Sequence, residues 1–252
     1  PMVLIGVAIW FVISYFFNTQ MIQTATHSRP LERRENMRVY NLTENLCMSV
    51  GMPMPKLYII ESDALNAFAS GINQKTFAVT LTRGIINTLN DDELEGVIAH
   101  ELTHIRNRDV RLLIITIVFV GIFATIANIA FRTMLNSQLY SSRNRRNEKG
   151  GGGAVVLVIL LVVGVVYFLS ILFKLALSRS REYMADAGAV EMTHKSLALA
   201  NALKKISGHS TIEGVDNDEV KELFIDYKAE GFFAMFATHP PIRKRIQVLE
   251  QF

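Results

Sequence analysis

A single cysteine, Cys47, occurs among the 252 residues of the chain, which excludes an intrachain disulfide bond and fits a reducing compartment. The net charge is also small, because 26 basic and 23 acidic side chains leave a formal charge of only +3. Most basic side chains flank apolar stretches, where they suit lipid headgroups, so we expect a lipid bilayer and not a nucleic acid as partner. Half of the residues are hydrophobic, which is high for a purely soluble domain.

Charged residues are absent from two apolar runs, residues 112–131 and 154–173, each 20 residues long. At about 1.5 Å per residue, either run would form a helix of about 30 Å, the thickness of the hydrocarbon core of a bilayer. Two buried helices of a large soluble core are the alternative. We predict a transmembrane helical hairpin, residues 111–177, with a polar loop at residues 132–153.

A third apolar run, residues 2–17, is slightly short for a membrane span, and the chain begins with proline instead of methionine. We interpret residues 1–28 as an N-terminal transmembrane segment with part of its start missing. A cleaved signal peptide is the competing interpretation. It is weaker because no basic residue precedes the run and no clear cleavage site follows it.

A hairpin returns the chain to the side of the membrane that it left. Residues 29–110 and 178–252 can therefore form one domain, into which the hairpin is inserted. Eight arginines near the span ends lie on the side of this domain, against five basic residues in the loop. By the positive-inside rule this small difference favours a cytoplasmic domain, and we predict an integral protein of the bacterial inner membrane.

The first part of this domain contains one predicted helix and one predicted sheet. Residues 31–50 have helical spacing, which stops at Gly51. Three short runs between turn-forming residues follow, and they predict a small antiparallel sheet. These runs are residues 56–60, 64–70 and 76–81.

Three more helices are predicted from local signals. Asn90 and Glu93 have the spacing of a capping box, which predicts a helix that begins at Asp91. The segment after Ser178 has helical character. A last helix is expected after Pro241, because proline suits a helix start.

The motif that carries chemistry is His-Glu-Leu-Thr-His at residues 100–104. On a helix, residues i and i+4 lie on one face, so His100 and His104 can bind one Zn²⁺ at about 2.0–2.1 Å. Glu101 lies one step around the helix, near enough to touch a metal-bound water without being a ligand. We therefore predict that Glu101 is the catalytic base. Two surface histidines on an amphipathic helix are the alternative.

A catalytic zinc site needs a third protein ligand and leaves one position open for water. The strongest candidate is Glu182, and Asp186 follows on the same helical face, where it can accept a hydrogen bond from a ligand histidine. Ordinary exposed carboxylates are the alternative. The predicted hairpin favours the metal site, because His104 and Glu182 are 78 positions apart and 67 of these positions belong to it. The prediction is one Zn²⁺ per chain, held by His100, His104 and Glu182.

His-Glu-x-x-His followed by Glu-x-x-x-Asp, with apolar runs between them, resembles the HtpX-type membrane metalloproteases, relatives of the CAAX prenyl protease. The resemblance covers nearly the whole chain, including segments 66–71 and 238–246. It implies an α+β fold, with a mainly helical, zincin-like domain of the gluzincin type and a small antiparallel sheet. It also implies a zinc endopeptidase that removes misfolded or damaged membrane proteins. The family usually has two spans ahead of this domain, whereas one run precedes it here.

The resemblance implies further site residues whose own signals are weaker. Asn66 and Ala67 would lie on an edge strand that binds the substrate backbone. His239 and Arg245 would lie beside the transition state as catalytic residues. The alternatives without the family are a turn residue at Asn66, a helix cap at His239 and a solvated helix charge at Arg245.

Two other functions remain open at this stage. A non-catalytic membrane scaffold could be stabilised by a structural zinc, although such sites normally have four protein ligands and no fourth is apparent. A narrower peptidase could trim prenylated C-terminal peptides, although three predicted spans are few for the membrane chamber of that relative.

Overall fold

The computed structural model describes residues 19–112, 180–213 and 240–252, together with Gly164, Val215 and residues 224–225. All of these except Gly164 belong to one compact unit, Phe16–Ile114 with Leu175–Phe252. The apolar runs that predict membrane spans lie outside the described residues, apart from Leu112 and Gly164. None of the described helices has the length and apolar character that crossing a bilayer requires.

The described elements comprise seven helices and four strands, and a further helical segment begins at residues 109–112. In chain order they are α1 (residues 19–26), β1 (Arg29–Pro30), α2 (Met37–Ser49), β2 (Lys56–Ile60), β3 (Ala67–Ser70), β4 (Ala78–Thr82), α3 (Arg83–Thr88), α4 (Asp91–Arg106), α5 (residues 180–193), α6 (Ser196–Ile206) and α7 (Ile242–Leu249). The helices predicted after Ser178 and after Pro241 are confirmed as α5 and α7.

Helix α2 is shorter than the helix predicted over residues 31–50. The Oδ1 atom of Asn36 accepts a hydrogen bond from the backbone N–H of Val39 at 3.0 Å, and this cap begins the helix at Met37. The helix ends at Ser49, ahead of Gly51, whose φ of 65° lies in the left-handed region. The predicted end is therefore confirmed, whereas the predicted start is wrong because the cap lies further along the chain.

The sheet is mixed, so the prediction of a purely antiparallel sheet is wrong. Its strand order is β1-β2-β4-β3, in which β2 and β4 run parallel and the two outer pairs are antiparallel. Successive strands alternate in direction, so β2 and β4 point the same way. Strand β4 is buried along its whole length and inserts between β2 and β3, which makes its pairing with β2 parallel. Strand β3 is left at the edge of the sheet.

Helix α4 is the central helix of the unit and begins where the sequence predicts. The side chain of Asn90 accepts a hydrogen bond from the N–H of Glu93, and the Glu93 carboxylate accepts one from the N–H of Asn90, both at 2.9 Å. This confirms the capping box. Eleven of the 16 residues of α4 are buried, and at Gly96 an added Cβ would come 3.3 Å from the Cα of Leu199 in α6. Close packing on several sides fixes the position of the His-Glu-Leu-Thr-His segment.

Candidate metal centre

Helix α4 brings the two histidines of the motif together. The Nε2 atoms of His100 and His104 are 3.2 Å apart, and their rings meet at 89° with centroids 4.7 Å apart. His100 is 1 % exposed and the side chain of His104 is 14 % exposed. Successive turns of one buried helix therefore present two ring nitrogens to the same point, as the sequence predicts.

Glu182 of α5 completes a three-residue cluster. One carboxylate oxygen lies 3.6 Å from Nε2 of His100, and the other lies 3.5 Å from Nε2 of His104. One ligand atom from each residue lies within 4.8 Å of the others. A tetrahedral metal ion with bonds of about 2.0–2.1 Å separates its ligand atoms by about 3.3–3.4 Å. Two imidazoles and a carboxylate at this spacing fit a divalent metal ion.

Gly188 lets α5 approach α4 closely enough to deliver Glu182. A Cβ added at Gly188 would lie 2.5 Å from Cγ2 of Thr103, which is a middle residue of the histidine motif. Thr103 is fully buried, and its hydroxyl donates a hydrogen bond to the carbonyl of Ala99 at 2.8 Å. No sequence signal marks Gly188, because its role depends on the crossing of two helices that are distant in the chain.

Each ligand histidine has a carboxylate behind it. The Nδ1 atom of His100 lies 3.0 Å from Oδ1 of Asp186, and that of His104 lies 3.1 Å from Oδ2 of Asp109. A carboxylate that accepts the Nδ1 proton leaves Nε2 as the metal-binding nitrogen and fixes the orientation of the ring. Asp186 occupies the position that the sequence predicts, whereas Asp109 was missed. Its only sequence signal is a lone aspartate one turn beyond the motif.

Arg245 of α7 lies behind the ligands. Its Nε and Nη2 atoms donate hydrogen bonds to the two oxygens of Asp186 at 2.9 and 2.7 Å, and its Nη1 lies 3.0 Å from Glu182. Burial raises the pKa of Asp186, but the charge of Arg245 and hydrogen bonds from His100 and Arg245 outweigh it and lower the pKa overall. The guanidinium is 1 % exposed and therefore holds two carboxylates in place. Contact with a transition state stays a prediction.

Glu101 is 3 % exposed and shares the buried surroundings of the two histidines. Burial raises the pKa of Glu101 above its ordinary value, although the nearby His100 and His104 lower it. The backbone of Ala69 in β3 also hydrogen-bonds to its carboxyl. Glu101 therefore lies between the metal-ligand cluster and the edge strand of the sheet.

The described ionisable groups at this site carry an excess of negative charge. Four carboxylates, of Glu101, Asp109, Glu182 and Asp186, face two guanidinium groups, of Arg181 and Arg245. With both imidazoles neutral, as metal ligation requires, these groups leave an excess of two negative charges. Buried charges are costly unless they are compensated, so this excess favours a bound dication.

The pKa of His104 reflects the same environment. Burial lowers it, but Asp109, Glu182 and Glu101 together raise it to about 10. Groups that stabilise a proton on His104 would also stabilise a metal ion there.

Asn66 and Ala67 lie at the edge of the sheet, but their polar groups bind within the chain. Asn66 is fully buried, and its Nδ2 donates a hydrogen bond to the carbonyl of Ser210 at 2.7 Å. The N–H of Ile225 donates to Oδ1 of Asn66 and to the carbonyl of Ala67, both at 3.2 Å. Substrate binding by these two residues stays a prediction, as does the role of His239, which lies outside the described residues.

Known proteins share both the sequence and the fold. A protease HtpX homolog of Bacteroides fragilis is 57 % identical over 259 residues, which cover 100 % of this chain and 80 % of the relative. A homolog of the same name from Listeria monocytogenes serotype 4a is 38 % identical, with 96 % of this chain and 83 % of the relative covered. The crystal structure of S. mikatae Ste24p matches with a TM-score of 0.59 at 18 % identity. This match covers 99 % of the chain but 57 % of the Ste24p chain, and it shows the fold alone.

The family assignment rests on most of the chain. The model of peptidase family M48 matches residues 33–252, which include the metal-ligand cluster and the residues around it. The chain thus belongs to peptidase family M48.

Proposed function

We propose that this chain is a zinc-dependent endopeptidase that is integral to the membrane and cleaves misfolded or damaged membrane proteins. The observation that carries the proposal is the convergence of two imidazole nitrogens, 3.2 Å apart, with a carboxylate whose two oxygens lie 3.6 and 3.5 Å from them. The buried Glu101 lies on the same helix as the two histidines. Relatives that are 57 % and 38 % identical carry the name protease, which supports the reaction class.

His100, His104 and Glu182 would hold the metal ion. Two imidazoles and one carboxylate form a donor set that catalytic zinc sites use, and three protein ligands leave a position for substrate or water. When bound, the dication supplies Lewis acidity, which makes water nucleophilic near neutral pH and polarises a peptide carbonyl. Asp186 and Asp109 keep both Nδ1 protons in place, so that both Nε2 atoms stay available.

Glu101 moves the proton in the proposed reaction. Its carboxylate would accept a proton from the attacking water and then deliver it to the nitrogen of the leaving amine. Burial raises the pKa of Glu101, and a general base works best when its pKa approaches the operating pH. Glu101 is 3 % exposed, so little bulk solvent reaches the carboxylate during this transfer.

The edge of β3 offers a place for an extended substrate. In an antiparallel pair, both backbone groups of one residue point to the same side, and alternate residues share that side. Since the carbonyl of Ala67 bonds to Ile225 and not to β4, the backbone groups of Ala67 and Ala69 face outward. A peptide that replaces the N–H of Ile225 on the carbonyl of Ala67 would pass next to Glu101 and bind through its backbone, with little dependence on its sequence.

Membrane proteins are the proposed substrates because of the apolar runs at residues 112–131 and 154–173. Runs of this length and composition are suited to span a bilayer, and basic residues flank them. A peptidase unit held next to a bilayer would encounter exposed loops of misassembled membrane proteins more often than soluble proteins.

The test compares Glu101→Gln with Glu95→Gln in the full chain. Glu95 lies on the same helix and pairs with Lys195 at 2.7 Å, away from the metal ligands, so its variant is a matched control. We expect Glu101→Gln to lose casein and membrane-protein cleavage by about 10²-fold or more while it retains one zinc per chain. Appreciable residual cleavage by this variant would exclude the proposed role of Glu101.

Metal content and substrate choice are tested separately. Glu182→Ala should lose both bound zinc and activity, and a chelator should abolish cleavage by the wild type. Zinc content that is unchanged in Glu182→Ala would place the third ligand elsewhere. Cleavage of a prenylated peptide in preference to an unfolded membrane protein would contradict the proposed substrate class.

A further inference from the structure

A cavity of about 880 Å³ lies at the C-terminal end of α4, apart from the metal-ligand cluster. Its volume is in the range of small-molecule binding sites, and it shares no lining residue with the His100, His104 and Glu182 cluster. The turn after α2, the β3–β4 connection and the end of α4 form its walls. The proposed proteolysis makes no use of this cavity.

Positive charge dominates the cavity. Four of its lining residues are basic and none is acidic: Lys75, Arg106, Arg108 and Arg111. Arg106 pairs with Glu191 at 2.9 Å, whereas the other three side chains make no ion pair within the described part of the chain. Uncompensated like charges repel each other, so this cluster attracts an anion.

The backbone at Arg108 supports a role for this side chain. Its φ is 62°, in the left-handed region that disfavours residues with a Cβ. Asparagine or glycine would adopt this conformation at a lower energy cost, so an arginine here is not explained by the backbone turn. The strain is instead consistent with a requirement for a cation at this position.

Apart from the basic residues, Gly51 and the two amide residues Asn73 and Gln74, the lining of the cavity is apolar, which matches an amphiphile better than a small inorganic anion. Val50, Met52, Pro53, Ile72, Phe77 and Ile105 line the cavity together with the basic residues. Arg111 is the last residue before the apolar run at residues 112–131, which we expect to enter the bilayer. Basic residues at the end of a span meet the phosphate level of the membrane.

We propose that this cavity binds the headgroup of an anionic phospholipid. The phosphodiester would lie against Lys75, Arg108 and Arg111, and the glycerol and the first acyl carbons would lie against the apolar wall. Such a site would anchor the peptidase unit to anionic lipid through contacts that do not involve the metal ion.

The experiment measures lipid retention by the full chain in a neutral detergent, with native mass spectrometry and a titration as readouts. Dioleoylphosphatidylglycerol is compared with dioleoylphosphatidylcholine, and inorganic phosphate in large excess serves as competitor. We expect the wild type to retain phosphatidylglycerol in preference to phosphatidylcholine and phosphate not to displace it. Equal retention of the two lipids, or complete displacement by phosphate, would overturn the proposal.

Charge-removal variants assign the binding to this cavity. At about fivefold per basic residue, Lys75→Gln with Arg108→Asn and Arg111→Gln should weaken phosphatidylglycerol binding by about a hundredfold. A control with equal charge loss replaces three exposed residues, Arg34, Arg243 and Lys244, by glutamine and should bind like the wild type. Equal losses in both triple variants would indicate a general charge effect and contradict the site.

A single variant keeps the test informative if the triple variant does not fold. Arg108→Asn suits the left-handed backbone, so it should unfold at the temperature of the wild type or above it. It should nevertheless bind phosphatidylglycerol about fivefold more weakly. Wild-type affinity in a folded Arg108→Asn protein would refute the assignment of Arg108 to the site.

Discussion

Replacing Asp109 by asparagine tests how strongly metal affinity depends on the residues behind the ligands. Asp109 accepts the Nδ1 proton of His104 at 3.1 Å, and its side chain is 12 % exposed. Asparagine has nearly the same shape and retains an oxygen that can accept this proton. The substitution therefore removes the negative charge while the position of the ring is largely preserved.

The expected loss follows from the role of such carboxylates. Removing a hydrogen-bonded partner of a ligand histidine lowers metal affinity by about 10–100-fold, which corresponds to about 1.4–2.8 kcal/mol. With metal in excess, the stabilisation of the folded chain by metal decreases by the same amount. A chain of this size loses about 2–4 °C of unfolding temperature per kcal/mol, so the metal-induced increase should shrink by about 3–11 °C.

The assay measures two quantities on the full chain in detergent. Zinc affinity is obtained by competition with a chromophoric chelator, and unfolding temperatures are recorded with and without zinc. Asp92→Asn is the control, because Asp92 lies on α4 but pairs with the exposed Lys195 at 2.7 Å. Zinc affinity that is equal in Asp109→Asn and the control would show that Asp109 does not support the ligand.

Three further changes test packing, surface charge and the sheet edge. Gly188→Ala should lower the free energy of unfolding by about 1–3 kcal/mol and weaken zinc binding, because the new methyl group meets Thr103. Thermal unfolding measures the loss, and Ala187→Ser, at an exposed position, is the control that should have little effect. Arginine partners lower the pKa of Glu35 to about 2, so its stabilising effect is present above its ordinary pKa of 4.5 and is lost as the pH falls toward 2. The difference in unfolding temperature between wild type and Glu35→Gln should therefore shrink over that range. A constant difference would contradict the ion pairs. Asn66→Ala should destabilise the substrate-free chain by about 1–3 kcal/mol per lost buried hydrogen bond, and a changed KM at unchanged stability would show that Asn66 serves substrate alone.

Local patterns predict the parts of the site that depend on a single helix. The spacing of His100 and His104 places two ring nitrogens 3.2 Å apart, and the capping box at Asn90 fixes where their helix begins. The placement of Glu182 and Asp186 also follows from helical spacing, once two distant segments are assumed to meet. These features need only the geometry of one α-helix and a choice of partner.

Other features depend on how distant elements pack, and for these the sequence carries little signal. All three strands are predicted from the sequence. The insertion of β4 between β2 and β3, however, makes the β2–β4 pair parallel instead of antiparallel. Asp109 becomes a partner of His104 only because the chain turns at Arg108 and starts a new helical segment. Spacing rules for a continuous helix do not reach across such a turn.

The guanidinium of Arg245 explains how three distant parts of the chain form one metal site. It binds Asp186 and Glu182 of α5, lies 3.4 Å from the ring of His100 in α4, and donates a hydrogen bond to the carbonyl of Ile225 at 3.3 Å. Arg245 belongs to α7, the last helix, which contributes no metal ligand. The geometry of the ligands therefore depends on this helix as well. Removing either carboxylate from this buried guanidinium would leave a charge that is not fully compensated, which costs free energy. The helices that carry Glu182 and Arg245 therefore stabilise each other's position. The arrangement of the three metal ligands persists only while both helices are packed on α4.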